Sequence, residues 1–416
     1  MNSWYKLDNA AKVFPAVTKV TNSSVYRVSA ILTMDVDKEI LQEALNQIYE
    51  KFPMFFVRMR KGFFWNYLDS NHERFLVKEE TDYPCKYINK YQNKGYFLKV
   101  LYYKNRISIE IFHSITDGNG AVELLKSLLN QYFYLLGKIK SKKDDIDYTD
   151  ISEDSFNKYY EKTNKKKIKL NNSYRIKGKF FEDFGTNVIT GTINITNIKR
   201  IAKSNRTTIT GYLISLLIYS IYKTKAKKTN KPIVVTVPVN LRKKFPSNTL
   251  RNFFCTVNVG MKVNENTTLE EIIKKITKQL QEQTTIHNLE KIISNNVNLE
   301  KIMALRIVPL YIKNFFVSYG FNSRGETKKT ITMSNIGRIN LDEDIKKYIR
   351  HMDTILYPTI KSPISCGVCS VNDTLSISFS RSIIQKEIIK YFFKYLANRD
   401  NLDVAIYSNN WGEDYE

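Results

Sequence analysis

A histidine, an aspartate and a glycine stand at fixed spacing in the run Ile111-Phe112-His113-Ser114-Ile115-Thr116-Asp117-Gly118. A neutral imidazole, with an ordinary pKa of about 6.5, takes a proton near neutral pH from an alcohol or amine as that group attacks a carbonyl. His113 therefore reads as a general base. Asp117, four residues on, either pairs with the imidazole or locks the turn through a cation elsewhere in the chain, and the locking role is the favoured reading. Gly118 lacks a Cβ, so it permits an awkward turn and the close approach of another segment or a substrate. The competing reading is a satisfied histidine in an ordinary turn.

The elements on either side explain how such a residue is presented. Leu98, Val100 and Tyr102 alternate along one face, Lys104-Asn105 makes a turn, and Ile107, Ile109 and Ile111 return. This is a hairpin with His113 at its tip. Beyond Gly118, Val122, Leu125, Leu128, Leu129, Tyr132, Phe133 and Leu136 follow helical spacing, which places the histidine in the corner between a buried strand and a buried helix. Later in the chain, Ser334 and Asn335 follow the strand-like Ile331-Thr332-Met333 and are closed by Gly337. A hydroxyl or amide there either donates to a tetrahedral oxyanion, which needs a donor about 3 Å away, or simply builds a turn.

The spacing His113-x-x-x-Asp117-Gly118 resembles the HxxxDG signature of the chloramphenicol-acetyltransferase-like superfamily, which includes plant BAHD acyltransferases, alcohol acetyltransferases and the condensation domains of nonribosomal peptide synthetases. Two further segments agree with it: Val237-Pro238-Val239-Asn240-Leu241-Arg242 followed by Leu250-Arg251-Asn252-Phe253-Phe254, and Met333-Ser334-Asn335-Ile336-Gly337. The opening Trp4-Tyr5-Lys6-Leu7-Asp8-Asn9-Ala10-Ala11 looks like the start of the alcohol-acetyltransferase branch. The resemblance implies an α/β fold of two similar subdomains, mixed sheets flanked by helices, with an active-site tunnel between them. It also implies direct attack of an alcohol or amine on an acyl-CoA thioester, with His113 as base and no acyl-enzyme. The family aspartate usually pairs with an arginine, which makes Asp117 a structural brace with Arg242 as its partner. No permanently bound cofactor is implied, only acyl-CoA as co-substrate. Phe112 stands where condensation domains commonly carry a first histidine, and the plant-type Asp-Phe-Gly-Trp-Gly motif is absent, Asp183-Phe184-Gly185 being a fragment in the wrong place. The first departure favours the acetyltransferase branch, and the second puts the plant type in doubt while leaving the superfamily resemblance intact.

At 416 residues with 43% apolar residues, the chain is long enough for two sizeable cores. A first half over residues 1–140 opens with a strand pattern at 25–34 and a helix over 38–51 with Asp37 as its N-cap. Residues 141–179 are polar and read as a crossover, including the charged runs 141–145 and Lys165-Lys166-Lys167. A second half over 180–416 begins with a strand at 188–195 and a helix over 208–223. The longest apolar stretch, 209–222, falls short of the roughly twenty residues that cross a bilayer, so it reads as a core helix. Lys6, Asp8 and Lys12 interrupt any apolar signal-peptide core, and a cytoplasmic location follows by default. Four cysteines make no disulfide framework, and the lone Cys366-Gly367-Val368-Cys369 cannot by itself complete a metal site. His72, His287 and His351 lack an acidic partner pattern and read as surface or packing residues.

The net charge of +24, from 65 basic and 41 acidic residues, suits the phosphates of coenzyme A, an acidic carrier protein or nucleic acid. The lysines, however, are scattered among abundant asparagine and isoleucine, a bias of AT-rich coding sequence, and the aromatic residues fall largely on core-facing positions, so nucleic acid is not expected. Three functional classes remain. The first is a CoA-dependent acyltransferase acting on a small-molecule alcohol or amine. The second is a stand-alone condensation-type enzyme fed by an acyl carrier protein. The third is a non-catalytic binding module of the same fold, which an intact His113, Asp117 and Gly118 disfavour.

Overall fold

The computed structural model describes residues 4–140, 149–162, 171–301 and 307–409. The charged runs 141–145 and 165–167 of the expected crossover lie outside the described residues. The first part of the chain forms β1 (Trp4–Lys6), α1 (Phe14–Val17), β2 (Val25–Leu32), α2 (Lys38–Tyr49), β3 (Val57–Lys61), β4 (Asn66–Ser70), β5 (Lys78–Glu79), β6 (Leu98–Tyr103), β7 (Arg106–Phe112), α3 (Gly118–Leu135) and α4 (Ser155–Lys158). There follow β8 (Asn187–Asn194), α5 (Ile195–Ser204), α6 (Ile209–Ile221), β9 (Ile233–Asn240), β10 (Phe254–Met261), α7 (Leu269–Gln283), α8 (Ile286–Lys301) and α9 (Leu310–Gly320). The chain continues with β11 (Ile331–Arg338), α10 (Glu343–Lys346), β12 (Ile349–Ile355), β13 (Ile364–Val371), β14 (Thr374–Arg381), α11 (Glu387–Asn398) and β15 (Ala405–Ser408).

These elements make an α/β fold with two large mixed sheets and a small antiparallel one. The five-stranded sheet runs β12-β2-β7-β6-β5, and the helices α2 and α3 bury Leu41, Leu45, Leu125 and Leu129 in the core they share with it. Asp37 caps α2 by accepting from the Ile40 N–H at 3.0 Å. The hairpin of β6 and β7 turns at Lys104, whose φ of 48° gives the left-handed turn. The seven-stranded sheet runs β10-β9-β11-β13-β14-β8-β15 over a second core to which α6, α7 and α11 contribute. Helix α6 is the apolar segment noted in the sequence. Thr208 caps it by accepting from the Gly211 N–H at 3.0 Å, and Leu213, Ile214, Leu216, Leu217 and Ile218 are all fully buried. Among the described residues no helix is long and apolar enough to cross a membrane.

Strand β12 comes late in the chain yet pairs antiparallel with β2, after which the chain returns to the seven-stranded sheet through β13. The two large sheets are therefore laced together by the backbone. Where they meet, a Cβ on Gly367 would lie 2.0 Å from the Thr354 carbonyl oxygen, so only glycine admits this approach. The same strand explains the cysteine pair. An odd spacing of three puts Cys366 and Cys369 on opposite faces of β13, one in each large core, both as free thiols. Gly367→Ala is expected to destabilise the protein by about 1–3 kcal/mol by overpacking this junction. Gly320→Ala, where the Cβ would meet nothing within 4 Å, should be neutral or stabilising. Denaturant midpoints of the two variants measure the difference.

Candidate active site

His113 follows β7 directly, at the open end of the hairpin and not at its tip, which is the Lys104 turn; its backbone N–H donates to Ser24 O at 2.8 Å and anchors that end to the start of β2. Three rings enclose the imidazole. Phe14 of α1 stacks on it with centroids 4.5 Å apart and planes 9° from parallel. Tyr26 of β2 lies 4.8 Å away and Phe254, at the start of β10, 5.2 Å away. The histidine thus sits where the five-stranded and seven-stranded sheets converge. Burial pushes its pKa below the ordinary 6.5, against the raising field of Asp117.

The imidazole Nδ1 stands 3.1 Å from Asn252 Oδ1. Asn252 Nδ2 donates to Asp8 Oδ2 at 3.2 Å, and the Asn252 backbone N–H donates to the same oxygen at 3.3 Å. An ionised carboxylate only accepts hydrogen bonds, so Asp8 turns the amide nitrogen toward itself and the amide oxygen toward the ring. That oxygen requires a proton on Nδ1, which leaves the lone pair on Nε2. Asp8 also accepts from the Ala11 N–H at 2.8 Å and lies 3.8 Å from Arg251 Nε. Burial nevertheless pushes its pKa up to about 6.

Asp117 has a different task. As N-cap of α3, its Oδ1 accepts from the N–H groups of Asn119 (3.1 Å) and Gly120 (3.3 Å). Its Oδ2 accepts from Arg242 Nη1 (2.8 Å) and from the Phe253 N–H (2.9 Å). Arg242, in the turn after β9, also donates through Nε to Thr249 O at 2.8 Å. Gly118 begins α3 with no left-handed backbone. The close approach there comes from Ile336, whose Cδ1 would stand 3.3 Å from a Cβ. The glycine under real constraint is Gly120, where a Cβ would fall 2.1 Å from Thr116 Oγ1 and 2.2 Å from Leu250 O.

Ser334 and Asn335 part company in β11. Asn335 Nδ2 donates to Thr210 Oγ1 at 2.9 Å, and its Oδ1 accepts from the Gly337 N–H at 2.8 Å, where Gly337 has a φ of 90°. Ser334 Oγ has no hydrogen-bond partner among the described residues and lies two residues from Ile336, which bulges out of the strand pairing beside Gly118. His351 has surroundings that its sequence pattern does not reveal. Its Nε2 lies 2.7 Å from Tyr407 Oη, which donates to Asp353 Oδ2 at 2.6 Å, so an acidic neighbour does stand beside it, at the seam between β12 and β15. Asp8, Phe14, Tyr26, Gly120 and Asn252 were not picked out by motif reasoning. Asp8 and Asn252 lie within the segments that carry the family resemblance, but 244 positions separate them, and no periodicity couples residues so distant.

The arrangement supplies one neutral nitrogen with a free lone pair inside an aromatic enclosure, and no metal-holding cluster of His, Cys, Asp or Glu exists among the described residues. Asp117→Asn keeps a cap but strips Arg242 of its counter-charge, and is expected to cost about 3 kcal/mol or more of stability. Chemical denaturation checks this, with the activity loss following the loss of folded protein.

A family model described as alcohol acetyltransferase matches residues 155–391, more than half of the chain. The match carries Arg242, Asn252, Ser334 and Asn335, while His113 lies before it. No curated protein matches the chain in sequence. Solved structures are similar over almost the whole length at low identity. TRI101 of F. sporotrichioides, complexed with coenzyme A and T-2, is 11% identical with a TM-score of 0.64, over 97% of this chain and 99% of that one. TRI3 trichothecene 15-O-acetyltransferase from Fusarium sporotrichioides is 10% identical with a TM-score of 0.60, over 95% and 94%. The epimerization domain from the third module of tyrocidine synthetase B is 14% identical with a TM-score of 0.59, over 96% and 97%. The fold is the one that acyltransferases and peptide-synthetase domains share, and the chain belongs to the alcohol acetyltransferase family.

Proposed function

We propose that this protein is an acyltransferase that moves an acyl group from a coenzyme A thioester to an alcohol, with an amine as the other acceptor class. The observation that carries the reading is the chain Asp8–Asn252–His113, which holds a neutral imidazole with Nε2 as its only proton acceptor. In the reaction the acceptor oxygen attacks the thioester carbonyl while Nε2 takes its proton. The new C–O bond forms, the tetrahedral oxyanion collapses with cleavage of the C–S bond, and the departing thiolate recovers the proton from Nε2. Electrons and protons balance without an acyl-enzyme. Ser334 is the better placed of the two β11 residues to donate to the oxyanion, because both ends of the Asn335 amide are already engaged. Asp117 and Arg242 act as a structural brace.

Family membership supports acyl transfer to an alcohol. TRI101 was solved with coenzyme A, and TRI3 is named for acetyl transfer to an oxygen; both favour the CoA donor and the hydroxyl acceptor here. The domain organisation we propose is two halves, 1–140 and 180–416, joined by the polar crossover. β12 of the later half is lent to the sheet of the first.

Acceptor-dependent release of free thiol from acetyl-CoA and longer acyl-CoAs, across a panel of alcohols and amines, tests the reading. His113→Ala should lower turnover by about 10² to 10⁴. Exclusive use of an acyl group on a phosphopantetheinylated carrier would overturn the CoA donor. The pH profile follows from the lowered pKa of His113 and the raised one of Asp8: above about 6.5 the ring is neutral and Asp8 is mostly ionised, so kcat/KM should hold there and fall at more acid pH as Asp8, with a pKa of about 6, and then the ring become protonated. Asp8→Asn frees the Asn252 amide to flip and present a donor to Nδ1, which drives the proton to Nε2. kcat should fall by about 10² with KM little changed, as steady-state kinetics will show.

A further inference from the structure

Not all the aromatic residues went to the cores. Tyr311, Phe315, Phe316 and Tyr319 are spaced along one face of α9 and are each between 64% and 74% exposed. The turn between β3 and β4 adds Phe63, 72% exposed, and Ile307 just before α9 is 73% exposed. The two elements are fastened together. The Leu310 N–H donates to Phe63 O at 2.9 Å, and Lys313 reaches under the helix to donate to Phe64 O at 3.1 Å, with its ammonium 3.7 Å from the centre of the Trp65 ring. A fixed, contiguous aromatic surface of this kind is costly to leave in water and marks a docking face.

We propose that this face docks on an anionic lipid surface. Charge complementarity selects the occupant. Lys6 and Lys61 are exposed on the three-stranded sheet that carries the turn. The neighbouring acids are already matched, Glu300 by Lys12 and Asp69 by both Arg58 and Arg60, so the surround is net positive. Aromatic rings at headgroup depth with lysines at the rim are the composition of interfacial helices that lie on a bilayer without crossing it. A cavity of about 750 Å³ opens beside the face, between the N-terminal segment and the residues that follow the β3–β4 turn, lined by Trp4, Leu7, Phe64, Trp65 and Tyr67. Its Leu7 wall immediately precedes Asp8, and α1, whose Phe14 stacks on His113, packs against α9. The docking face and the catalytic histidine are therefore joined through α1.

Co-sedimentation with vesicles of phosphatidylcholine alone, and of phosphatidylcholine with one-third phosphatidylglycerol, tests the proposal without any assay of catalysis. The protein should partition onto the anionic vesicles, weakly onto the neutral ones, and less at high salt. The Phe315→Ser/Phe316→Ser double variant should lower partition by about tenfold or more, and Phe63→Ser, on the other element of the face, should lower it as well. Thiol release from a soluble acceptor should be unchanged in these variants. The proposal is overturned if the protein binds neither vesicle, or if the variants bind as well as the wild type. It is equally overturned if light scattering shows a dimer that the double variant dissociates, because a second copy then covers the face.

Discussion

The buried ion pair between Asp117 and Arg242 is the interaction on which the site depends. It joins a helix N-terminus in the first half of the chain to a turn in the second. Neither charge is left short of partners. Both carboxylate oxygens each take two hydrogen bonds, and the guanidinium spreads its donors over Asp117, Asn240, Thr249 and Arg251. Such saturation offsets the desolvation of a charge pair, and the rigid fork of arginine suits it where lysine would not. Because Arg242 holds the carbonyls of residues 249 and 251 while Asp117 holds the Phe253 N–H, the segment between them has little freedom. Asn252 sits within it and is carried to the histidine.

That geometry separates two electrostatic tasks which a single carboxylate would confuse. A carboxylate in direct contact with the imidazole would fix its tautomer and also stabilise its protonated form, raising the pKa of a base that works only when neutral. Here a neutral amide touches the ring, and the charge of Asp8 is spent on orienting the amide. The ring is oriented while burial keeps its pKa low. Asp117 is near enough to oppose that lowering but has no oxygen to spare for the ring.

Close backbone contacts extend the same constraint through the fold. Gly120 lets the Leu250 carbonyl lie against the first turn of α3, and Gly367 lets β13 run against β12 where the two large sheets meet. The N-terminal segment begins as β1 of the small three-stranded sheet, and residues 4 to 14 link that sheet to the site: Asp8 to the amide, Phe14 to the imidazole.

Much of this was legible in the chain itself. The hairpin of β6 and β7, the core helix α6 and the cap at Asp37 follow from periodicity and local hydrogen-bonding chemistry, which act over a few residues. The spacing of His113, Asp117 and Gly118, together with the segments around Arg242, Asn252 and Ser334, pointed to the superfamily. The sequence by itself thus determined the local elements, the spacing of His113, Asp117 and Gly118, and the class of chemistry that this spacing resembles, because each is encoded by neighbours along the chain. Only the tertiary structure decided that Asn252 and Asp8 orient the His113 ring, that Asn335 is spent on Thr210 while Ser334 is not, that β12 crosses to the other sheet, and that the aromatics of α9 face outward. Each of these depends on a hydrogen bond or a packing choice between residues tens to hundreds of positions apart, and no local pattern records which distant group will arrive.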